Sequence, residues 1–327
     1  MRAMPKMPSW IKGGPQPGGR PRAAVEIAPE GVLAAALPGL GAAAVYAFAA
    51  LPAGALVPGI DAPNLRAPEA VTAALHSALG EVSPRTRFVT LVLPSTVVRV
   101  FVLDFDTLPS KAADAIPVLR FRLRKMLPFD VEHAGVSYQV LSQDKTACRV
   151  LTAVLPGPVL AEYEAAVRAA GYEAGAVLPS SLAALESIHS MEAVLTANLS
   201  ALALTTTITN GQDLLLYRTL DLPEDPRQRI GEIQRGIAVA SAYFEDRLGA
   251  HPRRVHYAGN YAAADFASWL DDPELEVVEL VSAASLNGSS HRSGKHKSSA
   301  ADSDSEAALA LGTANIAGVA GALAGAS

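Results

Sequence analysis

With one cysteine, Cys148, in 327 residues the chain can form no internal disulfide, so its fold must rest on burial and hydrogen bonding, as in a reducing compartment. The run around it, residues 147–154, reads as a core strand, without the exposed electropositive setting a reactive thiol needs. Aromatic residues make up only 6%, so the apolar half of the composition leans on alanine. Positive charge is not in excess either: the formal net charge is −5, so nothing asks for nucleic acid as the main partner. The longest apolar stretch, residues 32–60, carries no charge but is broken by Pro38, Gly39, Gly41, Pro52, Gly54, Pro58 and Gly59 into pieces of about ten residues, too short for a spanning helix of ~20. Its pieces at 32–37 and 42–51 read as buried strands. Also lacking are Ser-His-Asp, paired-carboxylate and Cys-Cys spacings, and the seven histidines are scattered, so no catalytic and no metal-binding residue is assigned.

What is present is an alternation of strand-rich and helical segments long enough for two domains or one large divided one. Residues 1–22 form a basic arm rich in Pro and Gly, with no h-region and cleavage site after it. Residues 287–305, dominated by Ser, Gly, His, Lys and Asp, read as a solvated loop, His291 and His296 included. A helix is predicted over 63–80, with Val71, Leu75 and Leu79 on one stripe. A second runs from a Ser110 cap to Met126, with Ile116, Leu119, Leu123 and Met126 on one face, Arg120, Arg122, Arg124 and Lys125 on the other, and Pro117 as a defect inside it. A third covers 158–170 with Gly171 after it and a strand at 172–177. The last carries Ile230, Ile233, Ile237, Ser241, Phe244 and Leu248, with Pro226 in its first turn and Gly249 at its end.

The most specific signal is Met126-Leu127-Pro128-Phe129-Asp130-Val131-Glu132 running into Val136-Ser137-Tyr138-Gln139-Val140-Leu141. Pro128 lacks an N–H and pushes Leu127 out of helical angles, so a helix must stop there before a strand begins. This turn resembles a signature of the PilM proteins, actin-like cytoplasmic proteins of type IV pilus machines. Leu91-Val92-Leu93-Pro94, residues 99–106, residues 149–156, Asn210-Gly211 with Tyr217-Arg218, and residues 255–260 resemble further parts of the same pattern, over roughly residues 23–285 and a short piece after 305.

The resemblance implies an α/β (α+β) chain: an actin-like, ribonuclease-H-like two-lobed fold with a small inserted SHS2-like domain. The expected division is 23–84 and 156–190 for the first lobe, 85–155 for the insert, and 191–286 for the second lobe. An Ala-rich segment at 306–327 is expected to return to the second lobe. It further implies nucleotide loops between the lobes, which need a carboxylate for hydrated magnesium and glycine beside the phosphates. Here Glu26 keeps a carboxylate, but Ala28 and Pro29 follow; Asn198 and Ser200 stand where the second loop has acid and glycine; Gly259 remains of the adenosine loop. A non-hydrolysing scaffold with no cofactor is therefore expected. The alternatives are an active or weakly binding Mg-ATP protein, and an actin-like filament or division scaffold.

The implied partner is a PilN-like bitopic membrane protein, whose cytoplasmic N-terminal peptide docks in an apolar groove beside the insert, with Leu119, Arg122, Met126 and Phe129 as one wall. A pilus motor ATPase and a second copy of the chain are further candidate partners. The implied location is the cytoplasmic face of the inner membrane.

Overall fold

The computed structural model describes residues 19–39, 42–281 and 315–326. Most of the N-terminal arm, the whole 287–305 loop with His291 and His296, and residues 306–314 lie outside the described residues.

Two lobes repeat one pattern. In the first, β1 (Ala23–Ala28), β2 (Gly31–Ala36) and β3 (Val45–Ala50) form an antiparallel meander, and α1 (Pro68–Val82) leads into β4 (Phe88–Leu93). β4 runs parallel to β1 and is followed by a parallel β8 (Glu173–Pro179), giving the order β3-β2-β1-β4-β8. In the second, β9 (Ala193–Leu199), β10 (Ala203–Asn210) and β11 (Asp213–Asp221) form the meander, and α5 (Pro226–Leu248) carries the crossover. β12 (Arg254–Gly259) and β13 (Glu276–Glu279) are then added in parallel, in the order β11-β10-β9-β12-β13. Crossovers of this kind need a helix between parallel strands, which is why one long amphipathic helix follows each meander. Each lobe has its own core, around Val25, Ile27, Leu75 and Leu79 in one and Leu195, Ile233, Phe244 and Phe266 in the other.

The inserted domain consists of β5 (Arg99–Phe105), α2 (Ala112–Leu123), β6 (Gly135–Gln143) and β7 (Cys148–Leu155), with sheet order β5-β7-β6. It begins after β4, a correction to the boundary expected at residue 85. β4 is buried between β1 and β8 and is the third strand of the first lobe, a non-local pairing that its apolar pattern cannot announce. Cys148 is buried at the start of β7.

α2 packs on one face of this sheet through Ala115, Leu119 and Leu123. It is shorter than expected. Lys111, not Ser110, precedes it and no side chain caps it, while Met126 N–H and Leu127 N–H both donate to the Leu123 carbonyl as the helix closes. Pro117 stays inside, on the exposed side, where an interior proline costs about 3 kcal/mol. The Arg120 guanidinium donates to the carbonyls of Val131, Glu132 and Ala134, tying the Pro128 turn back onto the helix. α1 likewise starts at Pro68 rather than at residue 63. The amides of Asn64 and Leu65 donate to the Glu162 carboxylate at 2.8 and 2.7 Å, and those of Arg66 and Ala67 to the Ala55 carbonyl. Those donors are held in a loop. Glu162 belongs to α3 (Gly157–Ala169), which is followed by Gly171 at φ +90°; α5 ends at Gly249, φ +69°.

After β8 comes α4 (Ser180–Leu185), and the chain closes with α7 (Ala317–Ala324), numbered after α6 (Ala263–Trp269). α7 packs on β1, β2, β4 and α4. The apolar tail therefore returns to the first lobe, not the second. Val319, Ala322 and Leu323 join Ala24, Leu33, Val92 and Ala183 in one buried cluster. Glycine permits the approach: a Cβ on Gly321 would lie 1.9 Å from the Ala183 carbonyl oxygen. The lobes meet through small residues, Ala184 and Ala317 against Ala258.

Candidate functional site

A cavity of about 300 Å³ lies between the lobes, bounded by the β1–β2 turn, the β9–β10 turn, the segment after β4, the start of α4 and the approach to α7. It gathers three of the four nucleotide positions expected from sequence, Glu26, Asn198 and Ser200, and leaves out Gly259. Glu26 projects from the face of β1 that carries Ala24 toward α7, and is 7% exposed. Burial pushes its carboxyl up to about 7; Ser180 pulls it back and the charge of Glu30 adds to the rise. Asn198 is 9% exposed, and its Oδ1 accepts from Asn315 Nδ2 at 3.4 Å. Asn260 Nδ2 donates to Glu30 Oε1 at 2.9 Å, a bond from the second lobe to the first across the mouth.

Magnesium–triphosphate does not fit this donor set. Glu26 and Glu30 are the charged residues of the lining, and no Lys, Arg or His joins them to meet a polyanion. Pro29 offers no N–H at the first turn. At the second, Ser200 Oγ accepts from the amides of Leu202 and Ala203 at 3.3 and 3.1 Å and donates to the Ala203 carbonyl, so its hydroxyl is spent on the turn itself. The remaining glycines serve packing. A Cβ on Gly31 would meet the Phe48 ring at 2.4 Å, and one on Gly259 would meet the Tyr257 hydroxyl at 2.2 Å. Tyr257, stacked on Phe266 at 4.4 Å, thus takes the space that Gly259 leaves. Among the described residues no group of three or more His, Cys, Asp or Glu side chains is placed to hold a metal.

A second concavity, about 80 Å³, separates the inserted domain from the two lobes. Its wall on the insert is Gln139, Leu141 and Leu151; facing them are Leu185 at the end of α4, Ile188 after it, and Leu214 with the β10–β11 turn. It lies on the opposite face of the inserted sheet from α2, because Leu151 points to Leu182, Leu185 and Leu214 while Val150 and Val154 pack with Leu119. None of Leu119, Arg122, Met126 and Phe129 lines it. Leu119 has no exposed surface, and Phe129 is half-buried against the same core. Arg122 and Met126 are exposed on the far side. The four residues expected as one wall therefore stand apart from this concavity: helical period grouped them, but the core of the insert takes Leu119. β6 is an edge strand that pairs only with β7 among the described residues, and Gln139 Oε1 is buried without a partner.

Sequence reasoning named Glu26 and Asn198 but not the groups that meet them. Ser180 opens α4, and Asn315 precedes α7; the one signal for Asn315 is an amide in an otherwise apolar tail.

Neither a scan against protein-family models nor a search of curated proteins gives a match. Among solved structures, a PilM–PilN type IV pilus biogenesis complex matches with a TM-score of 0.70 at 18% identity, over 94% of this chain and 100% of the other. Two further matches are looser. The cytoplasmic domain of EpsL, an inner-membrane component of the Vibrio cholerae type II secretion system, gives 0.47 at 14% identity over 79% of this chain and 85% of the other. A Bacteroides thetaiotaomicron protein with an actin-like ATPase fold gives 0.46 at 11% identity, over 80% and 91%. In fold the chain is PilM-like, two actin-like lobes with a small α+β domain inserted into the first.

Proposed function

We propose that the chain is a scaffold at the cytoplasmic face of the inner membrane in a type IV pilus machine, receives the cytoplasmic N-terminal peptide of a PilN-like bitopic protein, and does not turn over ATP. The end-to-end match to a chain solved in a PilM–PilN complex carries this reading. The groove beside β6 supports it physically. An extended peptide can add to the unpaired edge of β6 through main-chain hydrogen bonds, with one aliphatic side chain anchored among Leu141, Leu151, Leu185 and Leu214. The small volume suits a side-chain anchor rather than a whole small molecule. Gln139 Oε1 would gain a donor from the peptide. Attachment through a partner also agrees with the helices, since among the described residues none is long and apolar enough to cross a membrane.

The interlobe donor set supports a reading without turnover, because the carboxyl that would face the metal is about half protonated at neutral pH and no cation in the lining opposes phosphate. Co-expression tests the reading. The chain should be retained by a tagged PilN-like protein and lost when that protein's cytoplasmic N-terminus is deleted. Retention by the truncated partner would overturn the peptide reading.

A further inference from the structure

The interlobe cavity is a built polar site that phosphate chemistry leaves unexplained. Thr96 Oγ1 and Asn198 Nδ2, on side chains at least nine-tenths buried in its lining, have no hydrogen bond, and Glu26 Oε2 and Ser180 Oγ, equally buried, have no partner beyond each other. Buried polar groups are ordinarily satisfied, so under-satisfied groups converging on one cavity point to an occupant. Glu26 Oε2 and Ser180 Oγ lie together, 2.6 and 2.5 Å from where a Cβ on Gly318 would stand, so the glycine keeps the acid end open. The other walls are apolar, with Leu33, Phe48, Pro58, Pro94 and Leu202.

Charge decides the class of ligand. The lining carries two carboxylates, three carboxamides and no basic group, so its field favours a cation and repels an anion. Asn198 Nδ2 is a donor, however, and asks for an acceptor. We infer that the interlobe cleft binds a small amine bearing an oxygen acceptor on an apolar stem, its ammonium on Glu26 Oε2 beside Ser180 and its oxygen on Asn198 Nδ2. At about 300 Å³ the cavity sits at the small end of ligand pockets, which limits the stem to a few carbons. The site is separate from the groove beside β6, so either can fail without the other.

The ligand binds ionised Glu26, and the surroundings of that group are known from each side. Glu30 is the charged group facing it, from the β1–β2 turn; α4 supplies Ser180, Asn198 of β9 and Asn315 before α7 line the same cavity, and Val92 of β4 and Gly318 of α7 lie beside it. With that carboxyl near 7, its ionised fraction grows about tenfold from pH 6 to pH 8, and apparent affinity for an amine that stays protonated grows by the same factor.

The probe is leucinol, an ammonium and a hydroxyl on an isobutyl stem, titrated calorimetrically into the full chain. The expected result is saturable binding that strengthens about tenfold from pH 6 to pH 8. The same alcohol without its amine should not bind, Glu26→Gln should abolish the pH dependence, and Asn198→Leu should weaken binding while keeping it. Equal binding of the amine-free alcohol, a flat pH profile in the wild type, or no heat at millimolar leucinol overturns the proposal. If Glu26→Gln fails to fold, the alcohol control and the wild-type pH profile decide the matter alone.

Discussion

Replacing Gly321 by alanine sets two effects of known sign against each other. Alanine is the better helix former by about 1 kcal/mol, so propensity alone predicts a more stable protein. Packing predicts the reverse. The added Cβ would stand 1.9 Å from the Ala183 carbonyl oxygen, 2.7 Å from its carbon and 3.0 Å from the Ala184 Cα, all backbone atoms that no rotamer change can move. Ordinary contact begins near 3.4 Å, so α7 and α4 must separate by about 1.5 Å. That displacement loosens Val319, Ala322 and Leu323 from Ala24, Leu33 and Val92. Overpacking of this kind costs about 1–3 kcal/mol, and the lost contacts add to it. The net expectation is a loss of about 1–3 kcal/mol, read as a fall of roughly 1–5 °C in the melting temperature of the purified chain, followed by circular dichroism. Gly231→Ala in α5 is the control, because nothing lies within 4 Å of its added Cβ and only propensity acts, raising the melting temperature by about 1–2 °C. A Gly321→Ala protein that melts at or above the wild type would refute the close packing of α7 on α4, and with it the return of the tail to the first lobe.

Glu26 gives a pH test. Its carboxyl is raised from 4.5 to about 7 in the fold, so the native state binds the extra proton between those values and stability falls as pH rises through that window. The upper bound is about 3 kcal/mol, and the stability difference between Glu26→Gln and wild type should grow in the mutant's favour from pH 4.5 to 7, then level off, in urea titrations; a constant difference would contradict the buried placement. Leu119→Ala should cost about 2–5 kcal/mol, because Leu119 is fully buried in the insert, whereas Arg122→Ala should change stability by less than about 0.5 kcal/mol; equal effects in thermal unfolding would contradict the orientation of α2. A steady-state phosphate-release assay should show no magnesium-dependent ATP hydrolysis above background, and robust turnover abolished by Glu26→Ala would contradict the reading of the cleft.

The local features of this fold were legible in the sequence. Pro128 lies in the turn between α2 and β6, Gly171 and Gly249 follow α3 and α5 with positive φ, and the stripe through Ile233, Ile237, Ser241 and Phe244 is the buried face of α5. Asp225, which accepts from the Gln228 amide and caps α5, escaped notice although an acid just before Pro226 is a readable cap signal. What could not be read was long-range pairing. A strand buried on both faces, such as β4, looks alike in the insert and in the lobe, and only its parallel register with β1 and β8 assigns it. α7 is apolar on nearly every side, so no stripe says which lobe it joins. In the cleft the sequence supplied the residues of the two turns but not what they do: the glycines at 31 and 259 make room for Phe48 and Tyr257, not for phosphate. Helical period likewise misled at α2, because Met126 falls past the end of the helix at Leu123.

The central claim is that this chain captures a partner's peptide beside β6. Titration of a synthetic peptide with the cytoplasmic N-terminal sequence of the PilN-like protein, followed calorimetrically, tests it most directly. Leu141 lines the groove from β6 and is half-buried there, so Leu141→Asp places an unpaired charge at the anchor without emptying a core. The expected result is saturable binding to the wild type, a loss of at least about tenfold, ~1.4 kcal/mol, in Leu141→Asp, and unchanged affinity in Arg122→Ala. Wild-type affinity retained by Leu141→Asp but lost in Arg122→Ala would move the site to the outer face of α2, and no binding by the wild type would contradict the claim itself.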